Sequence, residues 1–405
     1  MEGLGTKQKP TSFAGEGLFV GVPMTIRKPR LPATAPIAGF FRHPFFDIAT
    51  KEKELCPARK CTSETKFCVE ILALQRKMRP LSLKGHDRAL TRVRFNREGD
   101  LLISAAKNKQ PCLWYTENGE RIGTYDGHNG VVWDVDVSWD TTRLGTASGD
   151  NSVKFWDCET GVVLNTINTP TPAKSVNLSY SGHLLAYTTQ KMTKNPSVLC
   201  IVDTRDDQQI TADCPLFRTH FEFDNSATTC VFSGATDIVT VGFENGHILQ
   251  YELKNNEVPS QSNDKAHRYA ITDLQLSPDG AFLISSSKDK TAALLDVYTL
   301  ENLKQYRSER PVNSACISPI RDHVCLGGGE DAMQVTQTAV SAGHFEAKLY
   351  HMVFEEEFAR FKGHFGPINT MAWHPSGNII ATGGEDGYVR VQEFDDDYLD
   401  FKYDY

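Results

Sequence analysis

His128, Ser148, Asp150 and Trp156 fall within one stretch, Gly127–Asp157, which reads GHNGVVWDVDVSWDTTRLGTASGDNSVKFWD. An imidazole, a hydroxyl and a carboxylate also serve proton transfer elsewhere. Here an indole N–H joins them, and an indole donor buried beside a carboxylate must find a partner. The four are expected to bond in a chain that fixes how strands stack, a structural task rather than a catalytic one. Other chemistry is hard to find: G-x-S-x-G, H-E-x-x-H and paired CxxC patterns are absent, as is the Gly-Lys dipeptide of a P-loop. Gly327–Ala332 formally matches G-x-G-x-x-A, but the alternating, Thr- and Val-rich run after it does not suggest the helix that would receive a pyrophosphate. Cys56, Cys61 and Cys68 lack the tight pairs of a zinc site, and Glu355-Glu356-Glu357 suits a solvated loop or a partner contact. No cofactor and no metal are expected.

The elements that position these residues repeat. His86 is followed 28 residues later by Trp114, His128 by Trp156, His267 by Leu295 and His364 by Gln392. Apolar residues recur at the same offsets after each His, as in Val132, Val135 and Val137, and this period-2 pattern predicts strands with a buried face. Asn108, Asp150, Asp289 and Asp386 each lie six residues before the closing position. Three weaker units, 170–205, 217–254 and 306–361, fill the gaps and bring the count to seven. A Gly-His opening and a Trp-Asp finish in a repeat of roughly 40–45 residues is the WD40 blade pattern. The predicted fold is therefore all-β, a seven-bladed WD40 β-propeller over 79–394. Each Gly-His follows a strand of the previous blade, so Arg79–Lys84, with no blade before it, should pair beside Tyr388–Phe394 and shut the ring.

Residues 1–78 are expected to form a disordered or loosely ordered extension, interrupted by six prolines from Pro23 to Pro57, and Met78 is a candidate start site. Residues 1–77 carry 13 Lys+Arg against 7 Asp+Glu, which leaves a net of −14 on the remainder of a chain whose formal charge is −8. An acidic body repels phosphate backbones, so direct nucleic-acid binding is not expected. No apolar run is long enough for a membrane span, and a cytoplasmic setting with reduced cysteines is expected. Residues 395–405, DDDYLDFKYDY, form an acidic aromatic tail that suits an added edge strand, a docking peptide or a frayed end.

Several stretches exceed the general blade pattern: NGERIGTYDGH (Asn118–His128), ERPVNSACISP (Glu309–Pro319), LGGGEDAMQVT (Leu326–Thr336) and FEAKLYHMVFEEEFARFKGHFGPIN (Phe345–Asn369). Over about 78–405 the chain resembles the family of subunit i of eukaryotic translation initiation factor 3, with blades three and four the most divergent. The resemblance implies a non-catalytic scaffold that binds subunits b and g of that factor and supports 40S pre-initiation complex assembly, mRNA recruitment and scanning. It also implies that a helical segment of subunit b docks around blades five and six, where the matching strand is ITDLQLS (Ile271–Ser277). Gln275, on the opposite face from Leu274 and Leu276, is then either a partner contact or an ordinary solvent-facing or inter-blade residue. The alternative from another class is a signalling adaptor that presents a receptor or kinase.

Overall fold

The computed structural model describes residues 80–205, 215–222, 225–233, 238–254, 258–329, 345–395 and 398. The expectations for 1–78, for the Cys56/Cys61/Cys68 group and for most of the tail lie outside these residues.

The strands group into seven antiparallel four-stranded sheets. Blade two shows the local logic. Val132–Val137, Arg143–Ser148, Ser152–Asp157 and Val163–Asn168 pair in order, joined by turns. The first of those turns is built by Asp140, whose carboxylate accepts hydrogen bonds from Ser138 Oγ at 2.6 Å and from Thr142 N at 3.1 Å. Side chains buried on alternate faces pack against both neighbouring blades, as Phe155 and Leu185 do in one apolar cluster and Val135 and Leu113 in another.

Ring closure follows the sequence reading. Leu81–Lys84 completes the last sheet beside Tyr388–Glu393, with Leu81 opposite Val391 and Lys84 opposite Tyr388. The innermost strands of the seven blades pack side by side in sequence, and that of the seventh blade meets that of the first. One boundary differs from expectation. Phe217–His220 pairs with Val198–Asp203 as the outer strand of blade three, so blade four begins only at Ala227. Its outer strand, Gln261–Asn263, has three residues.

All seven innermost strands share an irregularity that alternation does not reveal. Their pairing slips by one residue immediately after the first paired position. Thr91, Trp133, Lys174, Thr228, Thr272, Asn313 and Asn369 are thereby left opposite no partner. Such bulges bend a strand and re-aim a side chain.

Of the tail, Tyr398 is fixed. Its ring stacks on Phe394 at 4.2 Å between centroids, and its hydroxyl lies 2.9 Å from His323 Nδ1.

Candidate functional site

The polar chain of blade two is built from His128, Thr146, Asp150 and Trp156. His128 Nδ1 lies 3.0 Å from Asp150 Oδ2, and its Nε2 lies 2.7 Å from Thr146 Oγ1. The Trp156 indole donates to that same Thr146 oxygen at 2.8 Å. Ser148 is not the linking hydroxyl. Its Oγ accepts from the Asp150 backbone N–H at 3.2 Å and so shapes the turn. Pairing register explains the difference: Trp156 faces Leu144, and the indole reaches the residue two further along the same strand. A sequence signal for it existed, since 18 residues after each of the four histidines stands a hydroxyl: Ser104, Thr146, Ser285 or Thr382.

The other three strong blades repeat the geometry. His86, His267 and His364 lie 2.7–2.8 Å from Ser104, Ser285 and Thr382 respectively, and 3.0–3.1 Å from Asn108, Asp289 and Asp386. Where Trp156 closes blade two, Leu295 closes blade five without a donor. In blade seven Arg390 Nη1 reaches Asp386 Oδ2 at 2.8 Å. Burial disfavours ionisation of Asp150, but hydrogen bonds from Ser152, the Asn129 N–H and His128 outweigh it and hold the carboxyl down at about 2. Burial likewise lowers His128, against the pull of Asp150. These groups bond one another and the backbone.

A second polar system lines the ring interior. Innermost strands expose one backbone edge to the centre, and side chains of the preceding blade cap its N–H groups. Asp134 accepts from Val176 N at 3.1 Å and Asp136 from Leu178 N at 2.8 Å. Ser175 accepts from Cys230 N at 3.1 Å, Asn177 from Phe232 N at 2.8 Å, Ser314 from Met371 N at 3.2 Å and Thr370 from Val93 N at 3.1 Å. Each tie satisfies a donor that would otherwise be orphaned. Asn177, the asparagine of the single Asn-Leu-Ser sequon, is thus a buried structural residue.

Arg92 spans this interior. Its Nε lies 3.1 Å from Asp134 in the next blade, and its Nη1 bonds Asp273 of blade five, 181 residues away. Burial opposes the charge, but the Asp273 and Asp134 carboxylates outweigh it and keep the guanidinium above its usual range. Gln275 belongs to the same network. It is buried and donates to Met371 O of blade seven at 2.9 Å and to Asp273 Oδ2 at 2.8 Å, so it faces the ring interior and not a partner. In a propeller both faces of a sheet are covered, and the face opposite Leu274 is not solvent.

The remaining candidates are placed plainly. Glu355 pairs with Lys304 at 3.4 Å and Glu357 with Lys348 at 3.2 Å, so both carboxylates serve ion pairs. Gly327 and Gly328 end a strand of blade six; a Cβ at Gly327 would strike Met371 and Ile368 of blade seven, so that glycine permits close blade packing. The six cysteines among the described residues are buried and form no disulfide. No group of three metal-ligating side chains, and no helix long and apolar enough to cross a membrane, occurs among the described residues.

A family model described as EIF3I matches residues 78–404. "Eukaryotic translation initiation factor 3 subunit I" of Caenorhabditis elegans is 70% identical over 328 residues, which is 81% of this chain and all of that protein. Those of Brugia malayi and Culex quinquefasciatus are 62% and 49% identical over 329 and 330 residues, again 81% of this chain and the whole of each relative. With a match spanning all seven blades and the ring-closing strand, the chain belongs to the eukaryotic translation initiation factor 3 subunit I family.

Proposed function

We propose that the chain is a non-catalytic scaffold subunit of the eukaryotic translation initiation factor 3 complex in the cytoplasm. In this role it binds subunits b and g and supports 40S pre-initiation complex assembly, mRNA recruitment and scanning. The observation that carries the reading is a set of exposed apolar side chains that blades five and six present on either side of a contact between the two blades. Tyr298 and Leu303 of blade five and Val353 and Phe354 of blade six are exposed. The two groups are held together by the Lys304–Glu355 ion pair at 3.4 Å and by Tyr306 donating to Met352 O at 2.9 Å. Apolar anchors with a charged pair at their edge suit the apolar face of a helix, which is how subunit b would dock.

Affinity purification of the tagged full chain tests this reading. Recovery of subunits b and g with 40S ribosomes is expected. Recovery of receptor or kinase complexes alone would replace the reading with that of a signalling adaptor. Leu303→Asp together with Phe354→Asp should abolish recovery of subunit b while leaving the melting temperature within about 2 °C, since exposed substitutions alter stability little. Unchanged recovery would move the docking surface elsewhere.

A further inference from the structure

The seven bulge residues converge on one open cavity of about 550 Å³ at one mouth of the ring. That volume is in the range of small-ligand and peptide side-chain sites. Arg92 and Asp134 lie at the cavity, Lys107, Lys288, Glu244 and Glu385 line it, and Lys107 pairs with Glu385 at 3.2 Å.

The bulge residues do not all do the same work. At four blade joints they tie the neighbour's backbone. Thr91 donates to Val132 O at 2.7 Å, Thr272 to Val312 O at 2.8 Å, Asn313 to Ile368 O at 3.0 Å and Asn369 to Leu90 O at 3.0 Å. Blades two, three and four break the pattern. Thr228 turns back to Gly242 O of its own blade at 3.0 Å, and Trp133 and Lys174 stack on each other, with the ammonium 3.7 Å from the indole centroid. No carboxylate pairs with Lys174 among the described residues. Burial pulls its ammonium down to about 8, despite the fields of Asp134 and Glu244. A half-buried cation on an aromatic face, lacking a carboxylate, is a ready receptor for an anionic group. Next in sequence to the lining residue Ala270 stands Tyr269 at 65% exposure.

We propose that this mouth is a docking site for an acidic peptide segment of a partner protein, whose carboxylate is received by Lys174 above Trp133 while Tyr269 holds an apolar side chain of the same segment. A peptide fits the combination better than a small anion does, because the apolar contact sits outside the cup and the charge lies within it. The site is separate from the blade five and six surface, and its test uses the isolated chain, so it stands or falls independently of the subunit contacts.

Fluorescein-labelled octaglutamate with one central phenylalanine is titrated into the full chain at low salt and followed by anisotropy, beside the same peptide with lysine for glutamate. The acidic peptide should bind and quench Trp133, a signal that Trp133→Phe removes, and the basic peptide should not bind. Lys174→Glu should weaken binding at least about tenfold, whereas Lys362→Glu, on the outer strand of blade six, should change it by less than about twofold. Lys174→Met serves if the glutamate variant fails to fold, and the same loss is expected. The proposal is overturned by no binding, by wild-type binding in the folded Lys174 variants, or by an equal loss in Lys362→Glu. Displacement by millimolar inorganic phosphate would also overturn it, making the cup a small-anion site.

Discussion

Where blade two carries Thr146, two residues beyond the partner of its closing Trp156, blade four carries Val241 at the same place relative to Tyr251. Blades three and six put Tyr187 and Leu326 there. In blade two that hydroxyl accepts from an indole and donates to an imidazole. Blade four is held instead by rings that blade three packs against it: Phe221 meets Phe243 edge-on at 4.7 Å, and Phe217 lies 6.0 Å from Tyr251. One blade is held by directional bonds and the other by shape. The fold thus requires that a blade interior be filled and satisfied, and it accepts either solution.

The largest expected effect is on the apolar side. Phe243→Ala empties the packing between blades three and four and should cost about 3–5 kcal/mol in denaturant unfolding. A loss below about 1 kcal/mol would mean that blade four is not held by ring packing. On the polar side, Thr146→Val removes the hydroxyl that accepts from the Trp156 indole and donates to the neutral His128 ring at Nε2, and should cost about 2–3 kcal/mol, because a buried donor and a buried acceptor lose their partner. If it proves neutral, the chain is ornamental and the contrast between the blades dissolves.

The smallest effect separates polar blades from each other. Blade one has Asn108 where blades two, five and seven have Asp. Chiefly through burial, His86 sits at about 4, so the folded protein favours its neutral ring. Its contribution is complete above pH 6.5 and is lost as the pH falls toward 4. Asp150, held at about 2, contributes fully above the ordinary carboxyl range near 4 and loses that contribution only as the pH falls toward 2. Asn108→Asp should raise the His86 pKa and make the stability loss between pH 6.5 and 4 shallower, with a gain of roughly 1 kcal/mol near pH 5. An unchanged acid profile would show that this pair is already equivalent to the others.

Four blades were legible because His, hydroxyl, turn residue and closing residue recur at fixed offsets, and the ring closure was legible because a strand was left over. Blades three, four and six offered alternation alone, which gives strands but not the outer boundary at Phe217. Thr146 was missed in favour of Ser148 because only pairing register tells which hydroxyl an indole reaches. Gln275 was open to a partner only while a face opposite the core could be solvent. The Arg92–Asp273 contact and the bulges carry no local signal, since both arise from blades meeting around a centre.

Pairing of Leu81–Lys84 with Tyr388–Glu393 joins nearly the first described residues to nearly the last. At about 5–20 residues per second, a ribosome leaves that opening segment waiting roughly 15–60 s for its mate. Until then its hydrogen-bonding groups face whatever else is nearby, and a nascent chain stalled short of Tyr388 has no means of sealing the circle. A messenger truncated before the codon for Tyr388 therefore yields a ring without its closing pairing.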